Sequence, residues 1–247
     1  MKKTNLCHPD LSNGLLKREN FNNYNKWIYD NIKPFLGKRI LDIGSGTGTF
    51  IKYFIDNSNL VIGTDIFEKQ IKIMKALFSN KPNVIIEYYS IEETQTINNY
   101  QDKDIDTITC INVLEHIKND RLALENMKSI VKGRGRIIIL VPAFDWLFGT
   151  MDEAAGHYRR YNKNQLKELA KDLDLSVVNN TYMNILGIIP WYIKGKVIKI
   201  DSTFSENFTD NSLTLYNYAA LFLRKIENFF PVPIGISEII VLQKNEI

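Results

Sequence analysis

Two kinds of apolar pattern alternate along this chain. Short apolar runs occur around Arg39 to Ile43, at Leu60 to Thr64, Val84 to Tyr89, Asp106 to Ile111 and Arg136 to Val141, the last stopping at Pro142. Each has the length of a buried strand. Between them, Thr49 to Asn57, Glu68 to Ser79 and Arg121 to Val131 space their apolar residues as helices do. Strands and helices alternating at these lengths predict a parallel sheet with right-handed crossovers. A further helix is expected at Asn164 to Leu173 and a sixth strand near Leu175 to Tyr182.

Both ends of the chain depart from this rhythm. Asn20 to Phe35 places Phe21, Tyr24, Trp27, Ile28 and Ile32 at helical spacings, with Pro34 and Gly37 closing the segment. Its aromatic stripe either packs on the sheet or, through Tyr24 and Trp27, forms a lid. Leu186 to Ser237 is too long for a turn and carries helical patterns of its own, including Tyr216 to Phe230. It reads as a cap inserted before a final strand at Glu238 to Gln243. The expected organisation is one domain, with a lid helix over 1–37, a core over 38–185, the cap over 186–237 and the last strand over 238–247.

Composition narrows the functional classes. A chain of 247 residues can bury a sizeable core, and its net charge of +3 is too small for binding duplexes through phosphate neutralisation, so no nucleic-acid partner is expected. Cys7 and Cys110 form neither a disulfide framework nor a zinc spacing, which suits a reducing cytoplasm. Met1 to Asn13 is polar and lacks the apolar core of a secretory leader, and no apolar run is long enough to span a bilayer. Oligomeric state is not encoded in any pattern here.

The first strand runs into three glycines at alternate positions, Asp42-x-Gly44-x-Gly46-x-Gly48. Glycine permits positive φ and removes the Cβ atoms that would block a ligand, and open α/β sheets bind ligands at strand carboxyl ends. A dinucleotide fingerprint needs its third glycine at position 49, where this chain has Thr49. Asp65 ends the second strand at the offset where an acid can accept both ribose hydroxyls, and Ile66 follows it.

This glycine pattern resembles the first motif of the class I S-adenosylmethionine (SAM) methyltransferases. Asn112-Val113-Leu114-Glu115-His116 resembles their type 11 and type 12 groups, and Pro142-Ala143 with Asp152 and Gly156-His157-Tyr158-Arg159-Arg160-Tyr161 resembles a bacterial subgroup with a GHYRRY loop. The resemblance covers essentially the whole chain. It implies a Rossmann-like seven-stranded α/β sheet whose last strand runs antiparallel beside the fifth and sixth. It also implies SAM as cofactor, S-adenosylhomocysteine as product, and Asp42, Gly44, Ser45, Gly46, Gly48, Asp65, Ile66, Ser90, Ile91 and Asn112 as the cofactor site. Ser90 stands where many relatives carry an adenine-binding aspartate, so the choice between Ser90 and Glu92 stays open. Asn112 replaces the first glutamate of a metal-ligating E-x-x-E-H pattern, and no metal is expected.

Methyl transfer from a sulfonium is an in-line displacement that mainly requires alignment and a desolvated cavity. A base is needed only when the acceptor carries a proton. His157, with Glu115, is the catalytic candidate, the alternative being that His157 orders its own loop. Tyr24, Trp27, His116, Trp146, Tyr158, Arg159 and Arg160 are the substrate candidates. The two arginines either fork onto an acidic acceptor or pair internally with Asp145, Asp152 or Glu153. The acceptor expected is a small molecule or glycan precursor, with oxygen or nitrogen ahead of carbon. A nicotinamide-dependent oxidoreductase is disfavoured by Thr49 and the Glu115-His116 segment, and a non-catalytic SAM-binding protein by the intact glycines and Asp65. The apolar and basic stretch Ile188 to Lys199 either packs on the sheet or touches a membrane surface or a lipid-linked substrate.

Overall fold

The computed structural model describes residues 22–202, 210–229 and 232–246; the polar stretch 1–13 with Cys7, and Phe21, lie outside them. Seven strands form one sheet: β1 (Arg39–Ile43), β2 (Leu60–Asp65), β3 (Val84–Tyr88), β4 (Thr107–Ile111), β5 (Arg136–Pro142), β6 (Leu175–Met183) and β7 (Ser237–Lys244). Their order is β3-β2-β1-β4-β5-β7-β6. The first five pair in parallel, whereas β7 inserts antiparallel between β5 and β6. This is the architecture expected from the sequence.

Successive residues of a strand point to opposite faces, so a sheet covered on both sides needs apolar residues at nearly every position. Ile40, Val61, Ile138, Leu140, Ile239 and Val241 face one layer, with Trp27, Ile28 and Ile32 of α1 (Asn22–Ile32), Ile51 and Phe54 of α2 (Ile51–Phe54), and Met74 of α3 (Glu68–Leu77). Leu41, Ile43, Ile62, Ile108, Ile137, Ile139 and Leu242 face the other. There they meet Leu124 and Met127 of α5 (Asp120–Ile130), and Leu166 and Ala170 of α7 (Lys163–Asp172). Two further short helices, α4 (Asn98–Gln101) and α6 (Thr150–Ala154), lie in the connections. The start of α7 is fixed by a capping box, in which Gln165 N–H donates to Asn162 Oδ1 at 3.1 Å and Asn162 N–H donates to Gln165 Oε1 at 2.8 Å.

The segment between β6 and β7 is helical. A 3₁₀ turn (Ile185–Gly187) leads into α8 (Ile188–Tyr192), a π turn (Ile193–Val197) and the long α9 (Asp210–Phe229). Ala220 and Leu223 of α9 are buried in the same layer as α1. Asn23 N–H donates to Asn217 Oδ1 at 3.0 Å, and Arg224 pairs with Asp30. At its other end Glu227 accepts the Asn184 and Ile185 N–H groups at 2.8 and 2.9 Å, tying α9 to the end of β6. Among the described residues, no helix is long and apolar enough to cross a membrane.

One expectation changes at this level. Trp27, a substrate candidate, is 1% exposed and packed in the apolar layer beneath α1. The stripe of α1 packs on the sheet because burying so large an apolar side chain outweighs holding it open as a lid.

Candidate active site

The site is built at the carboxyl ends of the strands. Gly44, Gly46 and Gly48 adopt φ of 66°, 59° and 85°. A Cβ at Gly44 would lie 2.5 Å from Val113 Cγ2, and one at Gly48 2.5 Å from Phe78 Cε2, so both positions exclude side chains on space as well as on backbone conformation. Ser45 secures the turn from within, its hydroxyl donating to the Asp42 carbonyl at 3.0 Å and accepting Thr64 N–H at 3.1 Å. Asp42 Oδ1 accepts the Thr109 hydroxyl at 2.6 Å. Burial pushes the Asp42 carboxyl up to about 6, against the pull of Thr109 and Ser45.

Asp65 clamps the same turn from β2. Its Oδ2 accepts Gly46 N–H and its Oδ1 accepts Phe67 N–H, each at 2.9 Å. Burial raises this carboxyl too, although the backbone donors oppose the shift. A bare-backbone turn on positive φ, with an acid at the next strand end, fits a nucleoside cofactor.

Beside the turn lies a cavity of about 200 Å³. Tyr24, Asn25 and Ile28 of α1 form one side, and Gly44 to Thr47 and Asn112 form another. Glu115, His157, Arg160, Asn184, Trp191 and Ser237 also line it. Asn112, Phe144 and Asn184 follow β4, β5 and β6 and have φ of 54°, 65° and 65°. Such strained non-glycine turns cluster where a fold aims side chains at a ligand.

The centre of the post-β5 loop is Asp152, which is fully buried. His157 Nδ1 and Arg160 Nε lie 2.9 and 2.8 Å from its Oδ1. Gly149 N–H and Trp191 Nε1–H donate to its Oδ2 at 3.0 and 3.2 Å. Burial alone would raise this carboxyl, but the hydrogen bond from His157 and the charge and hydrogen bond of Arg160 hold it below the ordinary aspartate range. Because Asp152 is therefore ionised and only accepts, Nδ1 of His157 is the donor of this pair, so in the neutral imidazole Nε2 is the nitrogen without a proton. Arg160, 1% exposed, also donates to the Ala143 carbonyl at 3.0 Å and lies 4.7 Å from the centre of the Trp191 ring.

The remaining candidates divide by place. Tyr24, Asn112, Glu115, His157 and Arg160 meet in the cavity, and exposed His116 sits behind, its ring centre 4.7 Å from that of His157. Glu115, His116 and His157 each offer a ligand-type atom within 4.8 Å of the others. Ile66 is exposed and Ser90 half-buried at the β2 and β3 ends, outside the cavity wall. Ile91 is buried in the apolar layer of α5, and its carbonyl accepts Asn126 Nδ2 at 2.6 Å. Trp146 and Tyr158 are exposed away from the cavity, and Arg159 is engaged by Asp120 at 2.6 Å and by the Lys118 carbonyl at 2.7 Å. Internal pairing thus occupies both arginines, with Asp120 an unforeseen partner. Asn25, Asn184 and Trp191 are cavity residues that the sequence reasoning did not select. For Asp152, the spacing to His157 and Arg160 was a usable signal.

Residues 17–180 match a family model described as a methyltransferase domain. The ubiquinone biosynthesis O-methyltransferase of Paracidovorax citrulli is 26% identical over 166 residues, which cover 66% of this chain and 57% of that protein. The tRNA U34 carboxymethyltransferase of Ruthia magnifica is 29% identical over 120 residues, 46% of this chain and 36% of that protein. The matched stretches therefore span between 36% and 57% of these two relatives' own lengths. A solved SAM-dependent methyltransferase from Archaeoglobus fulgidus shares the fold with a TM-score of 0.58 at 17% identity, covering 89% of this chain and 94% of that one.

Proposed function

Because this chain belongs to the family of methyltransferase domains, we propose that it methylates an oxygen or nitrogen of a small-molecule or glycan-precursor acceptor, using SAM. The bound cofactor supplies an electrophilic methyl group on a sulfonium. Gly44, Gly46, Gly48, Asp65 and Asn112 hold it, Asp42 and Ser45 keep the turn in shape, and Ile66 and Ser90 line its adenine side, whereas Ile91 is committed to the apolar core. In the cavity, His157 Nε2 removes the proton that the acceptor loses on methylation, and Asp152 fixes the tautomer that makes this nitrogen basic. Glu115 and Arg160 set the polarity of the wall. Tyr24 and Trp191 give it apolar surface that excludes water.

The observation that carries this reading is His157 in the cavity wall beside the glycine turn, with its Nδ1 2.9 Å from the buried Asp152 carboxylate. The O-methyltransferase relative supports oxygen as the acceptor atom. A cavity of about 200 Å³ favours a compact reacting group on the acceptor.

The test is methyl transfer from labelled SAM to candidate hydroxyl and amine acceptors, for wild type and His157→Ala. The variant should lose about 10²- to 10⁴-fold in turnover and bind S-adenosylhomocysteine as wild type does. Full activity would return His157 to an ordering role. Failure of S-adenosylhomocysteine to bind either protein would refute the cofactor assignment itself. With an imidazole as base, dialysis against a chelator should leave turnover unchanged.

A further inference from the structure

The cap presents an apolar stripe to solvent. Leu186, Ile189, Ile193 and Val197 recur at helical spacing and are 54%, 62%, 43% and 63% exposed, flanked by exposed Tyr192 and Ile198. On a helix such spacing ordinarily marks the side turned to the core. Here the inward side is a different one, made by Ile188, Trp191 and Gly195. Trp191 lines the cavity and donates to the buried Asp152. The Gly195 carbonyl accepts the Thr150 hydroxyl at 3.3 Å and lies where a Cβ on Gly149 would approach it to 2.6 Å. The segment is therefore anchored by one side and bare on the other.

Charge indicates what covers the bare side. Lys194, Lys196 and Lys199 are set among these apolar residues, and Asp201 is the only acid between positions 186 and 201. Bulky apolar side chains on one face with lysines at its border are the make-up of a helix that lies in the plane of an anionic bilayer. We propose that the cap docks on an anionic lipid surface. Ile189, Ile193, Val197 and Ile198 enter the boundary between headgroups and acyl chains, and the lysines meet lipid phosphates.

Resting on the function proposed above, this docking also defines the acceptor class. Trp191 belongs to the same helical segment as the stripe, so the cavity lies one helix away from the lipid. The acceptor is then an amphiphile with a lipid tail, whose reactive head reaches His157 while its tail stays in the bilayer.

Vesicle co-sedimentation tests the docking directly. The full chain should bind vesicles of mixed phosphatidylcholine and phosphatidylglycerol, bind phosphatidylcholine alone much less, and be released by high salt. Ile189→Glu combined with Val197→Glu should weaken binding at least about tenfold with S-adenosylhomocysteine affinity unchanged. Lys194→Gln, Lys196→Gln and Lys199→Gln together leave the apolar stripe in place and should abolish the preference for anionic lipid. Three results would overturn the proposal: no sedimentation of wild type, sedimentation of both variants equal to that of wild type, or a wild-type dimer that the glutamates dissociate while neither protein binds vesicles. The last would assign the stripe to a second copy of the chain. Vesicle binding without S-adenosylhomocysteine binding would retain the docking and reject the function on which the acceptor class rests.

Discussion

Asp152→Asn tests the loop at its centre. The substitution keeps size and shape, so it perturbs only charge and acceptor count. Four donors converge on the carboxylate: His157 Nδ1 and Arg160 Nε on one oxygen, Gly149 N–H and Trp191 Nε1–H on the other. An amide has one accepting oxygen, so two donors would face N–H groups. Arg160, 1% exposed, would also lose its closest counter-charge. Removing one partner of a buried ion pair costs roughly 3–5 kcal/mol. The Glu115 charge also acts on Arg160 and places the expected loss towards the lower end. At roughly 3–4 kcal/mol, and with a domain of this size losing roughly 2–4 °C per kcal/mol, calorimetry at pH 7 should show Tm falling by about 6–16 °C. Arg160→Met added to Asp152→Asn should restore much of the loss, because a pair replaced as a unit leaves no stranded charge. A fall of less than about 2 °C, or strict additivity of the two changes, would refute this reasoning. The pH dependence has a definite sign. A carboxyl held below its ordinary value stabilises the fold above that value, near 3.9, and the contribution is lost as pH falls through the lower folded pKa. The difference between wild type and Asp152→Asn should therefore shrink in acid.

Three further outcomes are expected. Asp65→Ala removes the carboxylate that accepts Gly46 N–H and should weaken S-adenosylhomocysteine binding by about tenfold or more, the value of one lost charge-assisted hydrogen bond; unchanged calorimetric affinity would contradict the clamp. Gly44→Ala forces a side chain onto φ of 66° and against Val113, so it should both lower Tm and lose cofactor binding, and a variant that binds normally would show that the turn can shift. Burial pushes Glu238 from 4.5 up to about 7, against the opposing effects of Asn180, Lys163 and Lys167. A raised folded pKa favours the fold below the unfolded value and loses that advantage as pH rises through 7, so the stability of wild type relative to Glu238→Gln should decline between about pH 4 and 8. A constant difference across that range, followed by chemical denaturation, would mean that Glu238 does not titrate with folding.

The strands and long helices were legible because each is dictated locally. A strand such as Arg136–Pro142 must be apolar throughout to lie between two helical layers, and its ends fall within a residue or two of the run read from sequence. The glycine turn was legible for the same reason, since positive φ at three alternate positions selects glycine. The site was less so. Trp27 reads as either core or lid until the sheet beneath it is known, and Ile91 turns inward because Asn126 captures its carbonyl. Asn184 joins the cavity through a left-handed turn at the end of β6, a conformation that its own sequence only weakly signals. Asp152 was visible as a charge, but its donors come from positions 149, 157 and 160 of its own loop and from position 191 of the cap, a set that no local pattern joins.

The insertion of β7 between β5 and β6 has a consequence for how the chain reaches its fold. Both neighbours pair with the last strand in sequence, and among the described residues β6 has no other partner in the sheet. Until β7 is in place, β5 presents an open apolar edge and β6 hangs unattached, so the parallel half can form early while closure waits on the most distant pairings. A chain shortened before position 237 would carry an intact glycine turn and an exposed Ile137 to Leu140 edge, a template for association with its own kind. The same strand brings Ser237 to the cavity, so completion of the sheet and completion of the site are one event.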